Sequence, residues 1–231
     1  GPYCVIGPNV SIKTGTKIHS HVNVMGNTTI GKENEIFPFT SIGNEPQDLK
    51  YQGEENSLII GDKNKIREYV NINPGTKAGG GITKIGNNNL FMVFSHIAHD
   101  CEIENNIVLA NNVQVGGHVK IQNYAIIGGS CAIHQFSRIG ELAMIGGMTG
   151  VLSDVIPFGL SLGNRNFLSG LNLIGLRRAR VSNEDIKIMN EAYKEIFKTN
   201  TYRENIENLN EKIKKNKFVE KIIKFINADK K

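Results

Sequence analysis

Large apolar residues fall on every sixth position over most of the first 151 residues, and few folds tolerate that period. Ile6, Ile12, Ile18, Val24, Ile30, Ile36 and Ile42 open the series, and Ile60, Ile66 and Ile72 resume it in the same phase. Ile85, Phe91, Ile97, Ile103, Leu109, Val115, Ile121, Ile127, Ile133, Ile139, Ile145 and Val151 then carry it through twelve consecutive positions. An α-helix turns about 100° per residue, so six steps leave a rotation of about 120° and no one helical face collects the set. Three such rotations close a circle. The pattern fits a triangular parallel β-helix, in which each hexad supplies a short flat strand and a corner. Three hexads then make a coil of 18 residues. Ile and Val fill the interior columns, and the Gly or Asn that often follows them is expected to supply corners with positive φ. A coil buries its apolar edge only against its neighbours, so stacking makes the core.

Two stretches interrupt the register. Gly43 to Glu54 lacks it, yet the phase returns intact, which predicts a loop extruded from the prism near residues 43–59. A second, Gly-rich insertion, Asn73-Pro74-Gly75-Thr76-Lys77-Ala78-Gly79-Gly80-Gly81, is expected near 73–84. Insertions on a solenoid tend to mark its binding face. The register stops after Val151, which places the β-helical domain at 1–160 and a helical domain at 161–231. Ser161 to Arg180 reads as a crossover holding a short helix. Ser182, three residues before Asp185, is a capping-box-like start to a helix carrying Ile186, Met189, Tyr193, Ile196 and Phe197. Ile206, Leu209 and Ile213 predict a second helix, and Val219, Ile222, Ile223 and Ile226 a third.

The net charge of +5 is too even a balance to argue for nucleic acid, but it is unevenly placed: residues 165–231 carry +7 and the rest −2. No apolar run approaches the roughly 20 residues of a membrane span. The opening Gly1-Pro2-Tyr3-Cys4 has neither the basic nor the apolar region of a signal peptide. The three cysteines, Cys4, Cys101 and Cys131, fit no disulfide framework or zinc spacing, which favours a reducing, cytoplasmic setting.

Eighteen-residue coils stack positions 97, 115, 133 and 151 in one column, and four of the six histidines, His96, His99, His118 and His134, lie within three residues of it. Position 99 stacks under Gly117 and then Gln135. Imidazoles from distant segments thus converge within roughly 10 Å along the axis, at about 4.8 Å per coil. Such a cluster has acid–base character near neutrality. Asp100 directly follows His99 and is placed to orient its ring. No Gly-x-Ser-x-Gly nucleophile elbow occurs, and alternation points Cys101 away from His99, into packing. His19 and His21 read as ordinary surface residues.

Pro46-Gln47-Asp48-Leu49-Lys50-Tyr51, His96-Ile97-Ala98-His99-Asp100-Cys101, Gly116-Gly117-His118, Ile133-His134-Gln135-Phe136, Gly163-Asn164, and Gly170-Leu171-Asn172 through Gly175-Leu176-Arg177-Arg178 together resemble the UDP-N-acetylglucosamine O-acyltransferases of lipid A biosynthesis. The resemblance runs over essentially the whole chain. Members of that family usually begin about one coil earlier, so a shortened N-terminus is expected. The resemblance implies a left-handed parallel β-helix with a C-terminal α-helical domain, assembled as a homotrimer with active sites between prisms. It implies transfer of an (R)-3-hydroxyacyl chain from acyl carrier protein to the 3-hydroxyl of UDP-N-acetylglucosamine, with no cofactor, metal or covalent acyl-enzyme.

In the roles it implies, His99 is the general base, Asp100 its partner, and the Gly117 N–H the oxyanion donor. Gln47, Asp48 and Lys50 contact substrate, and His96, His118, His134 and Gln135 line the cleft. Asn172 and Arg178 serve the nucleotide end, and Gly147 sits where a larger side chain would shorten the acyl chain. Asn73 occupies a contact position in altered form, and Ile174 and Ala179 stand where an acid and a second Arg are frequent. The basic tail, including Arg177, Arg178, Arg180, Lys212, Lys214, Lys215 and Lys217, is suited to steering an acidic carrier protein. Other readings are N-acyl transfer to the 3-amino sugar, an acetyl-CoA-dependent acetyltransferase, a hexapeptide-repeat carbonic anhydrase, and a non-catalytic solenoid scaffold.

Overall fold

A computed structural model describes residues 1–228. The six-residue period becomes three parallel sheets wound into a left-handed triangular prism. The first sheet has eight strands, from Val5–Ile6 to Gly150–Val151, and the second has seven, from Ser11–Ile12 to Arg138–Ile139. The third has nine, beginning at Lys17–Ile18. Residues pair at the offset the sequence demands: His96 with Gln114, Gln114 with Ala132, and Ala132 with Gly150. Ile97, Val115, Ile133 and Val151 form the expected interior column and are all buried.

The corners meet expectation in part. Left-handed backbone occurs at Asn88, Asn106, Asn112, Gly15 and Gly43, but more often at other residues, among them Tyr69, Phe94, Asp100, His118 and Phe136. Each such residue costs on the order of 1 kcal/mol, and stacking offsets part of it. Tyr3, His21, Phe39, Tyr69 and Phe94 form a ladder of rings with centroids 4.8–5.1 Å apart along the corner between the third and first sheets. His21 is thus a rung of the ladder, and His19 stacks on Phe37. The glycine following the aliphatic serves a different need: a Cβ on Gly61 would lie 2.6 Å from the Gly86 carbonyl oxygen of the next coil. Close approach between coils selects glycine there, whereas Gly43 after Ile42 has the expected positive φ of 75°.

Both insertions leave the prism from one corner, that between the first and second sheets. The first departs after Ser41–Ile42 and returns at Ser57–Ile60; the second departs after Asn71–Ile72 and returns at Ile82–Ile85. They occupy the two coils immediately preceding that of His99. Ser57 fastens them together, its N–H donating to the Gly81 carbonyl at 2.8 Å while its own carbonyl accepts from Gly75 N–H.

The winding also continues past Val151. Val155 bridges to Ile139, and Ser161 pairs with Ile145 as Gly159–Leu162 adds a strand to the third sheet. Phe167–Leu171 then folds back antiparallel on it. The crossover thus contains a strand as well as the short helix α1 (Leu173–Arg178). Helix α2 (Asn183–Ile196) starts where Ser182 predicted, the Ser182 hydroxyl oxygen accepting from Asp185 N–H at 3.0 Å. The second expected helix is two pieces, α3 (Tyr202–Glu207) and α4 (Glu211–Lys214), because the Asn210 side chain caps a fresh start by accepting from Lys212 N–H. Helix α5 (Lys217–Asn227) completes the set. Ile186, Met189, Ile206, Val219 and Ile222 join Phe158 and Leu176 in a core separate from that of the prism. No described helix is long and apolar enough to cross a membrane.

Leu109 is fully buried midway along the prism. Leu109→Ala is expected to cost about 2–5 kcal/mol by lost burial and an unfilled cavity. Chemical denaturation checks this, and a loss under 1 kcal/mol would show that adjacent coils close the gap.

Candidate active site

Three successive coils present Asp100, His118 and Phe136 at the corner from which the insertions depart, each in left-handed backbone with φ of 59°, 62° and 64°. That conformation throws each side chain onto the rung above. The His118 ring stacks on Phe136 at 4.3 Å and meets His99 edge-on at 5.0 Å. His99 lies against Gly117, where a Cβ would come within 2.6 Å of ring carbon Cε1, so only glycine leaves room for this imidazole.

The Asp100 carboxylate is almost wholly buried, with its side chain 1% exposed, and it organises the cluster. Oδ2 accepts from His99 Nδ1 at 2.8 Å and from the Thr76 hydroxyl at 2.6 Å; Oδ1 accepts from Thr76 N–H at 2.9 Å. A carboxylate only accepts, so the His99 proton sits on Nδ1 and Nε2 carries the free lone pair. Burial pushes the Asp100 carboxyl up. The bonds from His99 and Thr76, with His118 nearby, outweigh burial and hold it below the ordinary carboxylate value. His118 Nε2, at 3.9 Å from Oδ2, is too distant for a hydrogen bond. Burial holds His118 below the usual imidazole value against the opposing pull of Asp100. His96 is lowered by burial too, and its Nδ1–H donates to Asn71 Oδ1 at 2.8 Å.

The first insertion reaches the same corner. Asp48 lies close enough to His118 to favour its charged form, and the Asp48 side chain accepts from Lys50 N–H at 3.0 Å. Gln47 and Lys50 are exposed, and Leu49 between Asp48 and Lys50 is fully exposed. Asn73 is buried: its amide donates at 3.2 Å to the carbonyls of Asn44 and Glu45, anchoring the root of that loop. His134 and Gln135 sit one coil beyond Gly117 and are exposed, with His134 Nδ1 donating to the Gln135 carbonyl at 3.0 Å.

Other expected residues lie elsewhere on the chain. Gly147 precedes the strand Gly150–Val151, at the opposite edge of the first sheet from His99. Asn172 caps α1 by accepting from Gly175 N–H at 2.9 Å, and its amide donates to the Leu142 carbonyl at the third corner. Arg178 is exposed in the last turn of α1. Cys101 packs inward, and burial pushes its thiol up to about 12, far from a reactive thiolate.

Sequence reasoning missed Thr76, Thr83 and Gly79, all of which hold Asp100. The signal was the Gly-rich insertion itself, which lies in the coil directly before it. His99, Asp100 and His118 offer donor atoms within 4.8 Å of one another. A metal would have to displace Thr76 and the His99 proton from a carboxylate that already accepts three bonds.

A hexapeptide prism with a buried Asp paired to a half-buried His at one corner, followed by a helical domain, defines a class, the hexapeptide-repeat acyltransferases. Residues 82–117 match the family described as bacterial transferase hexapeptide, and residues 154–231 match domain 2 of UDP N-acetylglucosamine O-acyltransferase. The acyl-[acyl-carrier-protein]–UDP-N-acetylglucosamine O-acyltransferase of Rhizobium johnstonii is 43% identical over 229 residues, covering 99% of this chain and 84% of that protein. Its counterpart in Aliarcobacter butzleri is 48% identical over 202 residues, covering 85% and 76%. The solved LpxA of Acinetobacter baumannii superposes with a TM-score of 0.93 at 43% identity, covering 99% of this chain and 90% of that one. The Francisella novicida UDP-N-acetylglucosamine acyltransferase gives 0.94 at 38% identity, covering 99% and 84%. The chain belongs to the acyl-[acyl-carrier-protein]–UDP-N-acetylglucosamine O-acyltransferase family.

Because burial lowers His96 and His118, the folded chain binds fewer protons than the unfolded chain just below the ordinary imidazole value of about 6.5. Their contribution is complete above that value and is lost as pH falls through the lowered ones. Asp100 adds a second loss at more acid pH, below about 3.9, as its depressed carboxyl protonates. Melting temperature is expected to drop between pH 7.5 and 5.5, less steeply in His118→Asn. A flat wild-type profile would contradict the assignment.

Proposed function

We propose that the chain transfers an (R)-3-hydroxyacyl group from acyl carrier protein to the 3-hydroxyl of UDP-N-acetylglucosamine, the first step of lipid A biosynthesis, with His99 as general base. The carrying observation is the His99–Asp100 pair, which fixes the proton on Nδ1 and leaves Nε2 to act. Nε2 removes the sugar hydroxyl proton as the oxygen attacks the thioester carbon. The carbonyl electrons move to oxygen, and the tetrahedral intermediate collapses by breaking the C–S bond. The imidazolium returns its proton to the departing thiolate, giving ester and carrier thiol. Asp100 stabilises the imidazolium in between. The Gly117 N–H suits the oxyanion role, since among the described residues it donates to no carbonyl or side chain. Neutral His96 and His118 extend a polar wall without competing for the proton.

A homotrimer completes this reading. His99 and Gly147 lie at opposite edges of one sheet, and Asn172 lies at a third corner, capping the helix that carries Arg178. A neighbouring copy would bring the acyl-length and nucleotide positions to face His99. Asp48 beside His118 is the sugar contact of the first insertion, with Gln47 and Lys50 reaching the substrate from its rim. Three free cysteines, two of them buried, suit the cytoplasm.

His99→Ala is expected to lower acyl transfer by at least about 10²-fold with the fold retained. Asp100→Asn is expected to give a milder loss and a shifted pH–rate profile. Product masses from UDP-N-acetylglucosamine and its 3-amino analogue, with a ladder of carrier thioesters, are the companion measurement. An active His99→Ala variant would sink the base assignment, and ester product absent from every pairing would sink the activity.

Arg177, Arg178, Arg180, Lys212 and Lys217 are all exposed on the helical domain, charges suited to an acidic carrier. The apparent second-order rate with carrier thioester is expected to fall as salt rises from 50 to 300 mM. An insensitive rate would remove steering.

A further inference from the structure

The second insertion meets the catalytic pair through one side chain. Thr76 approaches Asp100 twice, its N–H donating to Oδ1 at 2.9 Å and its hydroxyl to Oδ2 at 2.6 Å. Its two bonds leave the carboxylate little freedom to rotate, and they keep Oδ2 in line with His99 Nδ1, 2.8 Å away. Two further groups narrow that freedom. The Asp100 N–H donates to Thr83 Oγ1 at 2.8 Å, fixing the backbone in its left-handed corner. Gly79, in the 3-10 turn Lys77–Gly79, packs so close to the carboxyl group that a Cβ there would collide with it.

The segment presenting Thr76 is itself tied down. Gly79 N–H and Gly81 N–H both donate to the Thr76 carbonyl, at 3.0 and 2.8 Å, which curls the insertion tightly around it. Lys77 N–H donates to Glu54 Oε1 at 3.2 Å, linking the turn to the first insertion. Asn73, three residues earlier, anchors the root of the loop that carries Asp48. Thr76 thus stands where the substrate loop, the Gly-rich turn and the Asp–His pair meet.

We infer that Thr76 is a positioning residue for acyl transfer, holding the Asp100 carboxylate in the one orientation that keeps the His99 lone pair on Nε2. This rests on His99 as base, and the two readings fail separately. Thr76 is buried beneath Asp100, so it acts through the pair and not by contact with substrate. The Gly-rich insertion is then a clamp on the carboxylate that pairs with His99.

The test is a steady-state series on the full chain. Thr76→Val keeps the shape and the N–H but removes the hydroxyl. It is expected to lower kcat about tenfold while KM for both substrates stays within twofold. Thr76→Ser is expected to recover most of the loss. In an Asp100→Asn background, Thr76→Val is expected to cost nothing further, because the two residues act as a unit. Gly79→Ala leaves the hydroxyl in place but crowds the carboxylate, and is expected to lower kcat in the same way. It serves as the second variant if Thr76→Val does not fold. Full kcat in Thr76→Val, or in Gly79→Ala where that variant stands in, would overturn the inference, as would losses that multiply in the double variant. If His99→Ala is inactive while Thr76→Val is fully active, only the positioning role is lost; if His99→Ala is active, the base assignment itself goes.

Discussion

Parallel pairing at a fixed offset of eighteen residues is the constraint from which the remaining structure follows. A single coil has no interior, since its aliphatic residues are covered only when the next coil is laid on them. The pairing must therefore keep register through every interruption, or the inward column turns outward and the prism opens. The two insertions respect this. Each leaves one sheet and rejoins the next at the position an uninterrupted corner would have reached, so Ile42, Ile72 and Ile97 remain one column across them. Irregular chain is confined to a single corner, and the chemistry gathers there because two coils have room for long loops and three more offer short, rigid rungs.

Corner backbone in the left-handed region does much of the positioning. At Asp100, His118 and Phe136 it directs consecutive side chains along the prism axis, so groups 18 residues apart become stacking partners. The His99 ring fills the space over Gly117, and Asp100 reaches sideways to meet it. The result is a carboxylate sunk under the insertion of the preceding coil, an imidazole with one nitrogen committed and one free, and beside them a backbone N–H that donates to nothing among the described residues.

Much of this is legible in the amino-acid sequence. The period announced the prism, the coil length put His96, His99, His118 and His134 on one edge, and Asp100 is adjacent in sequence to the residue it bonds. The readable parts were those whose partners lie at a constant separation. Contacts made by the insertions were not readable, because a loop of irregular length carries no period: Thr76 meets Asp100 at a separation of 24 and Asn73 meets Asn44 at 29. Corner residues also departed from expectation in part. The hexad suggested glycine and asparagine there, and Asn88, Asn106 and Asn112 fit, but aromatic and histidine rings take the same backbone by stacking on one another. The last coil was hidden because Ser161 takes the column position where an aliphatic residue would have marked it.

The ring ladder of Tyr3, His21, Phe39, Tyr69 and Phe94 has a consequence for how sequences on this scaffold can change. A residue in such a corner negotiates its size with the rungs above and below it far more than with the amino acids beside it in the chain. Tolerated exchanges should come in vertical pairs, so that co-variation among relatives traces stripes parallel to the diagonal, one winding away and displaced wherever a loop intervenes.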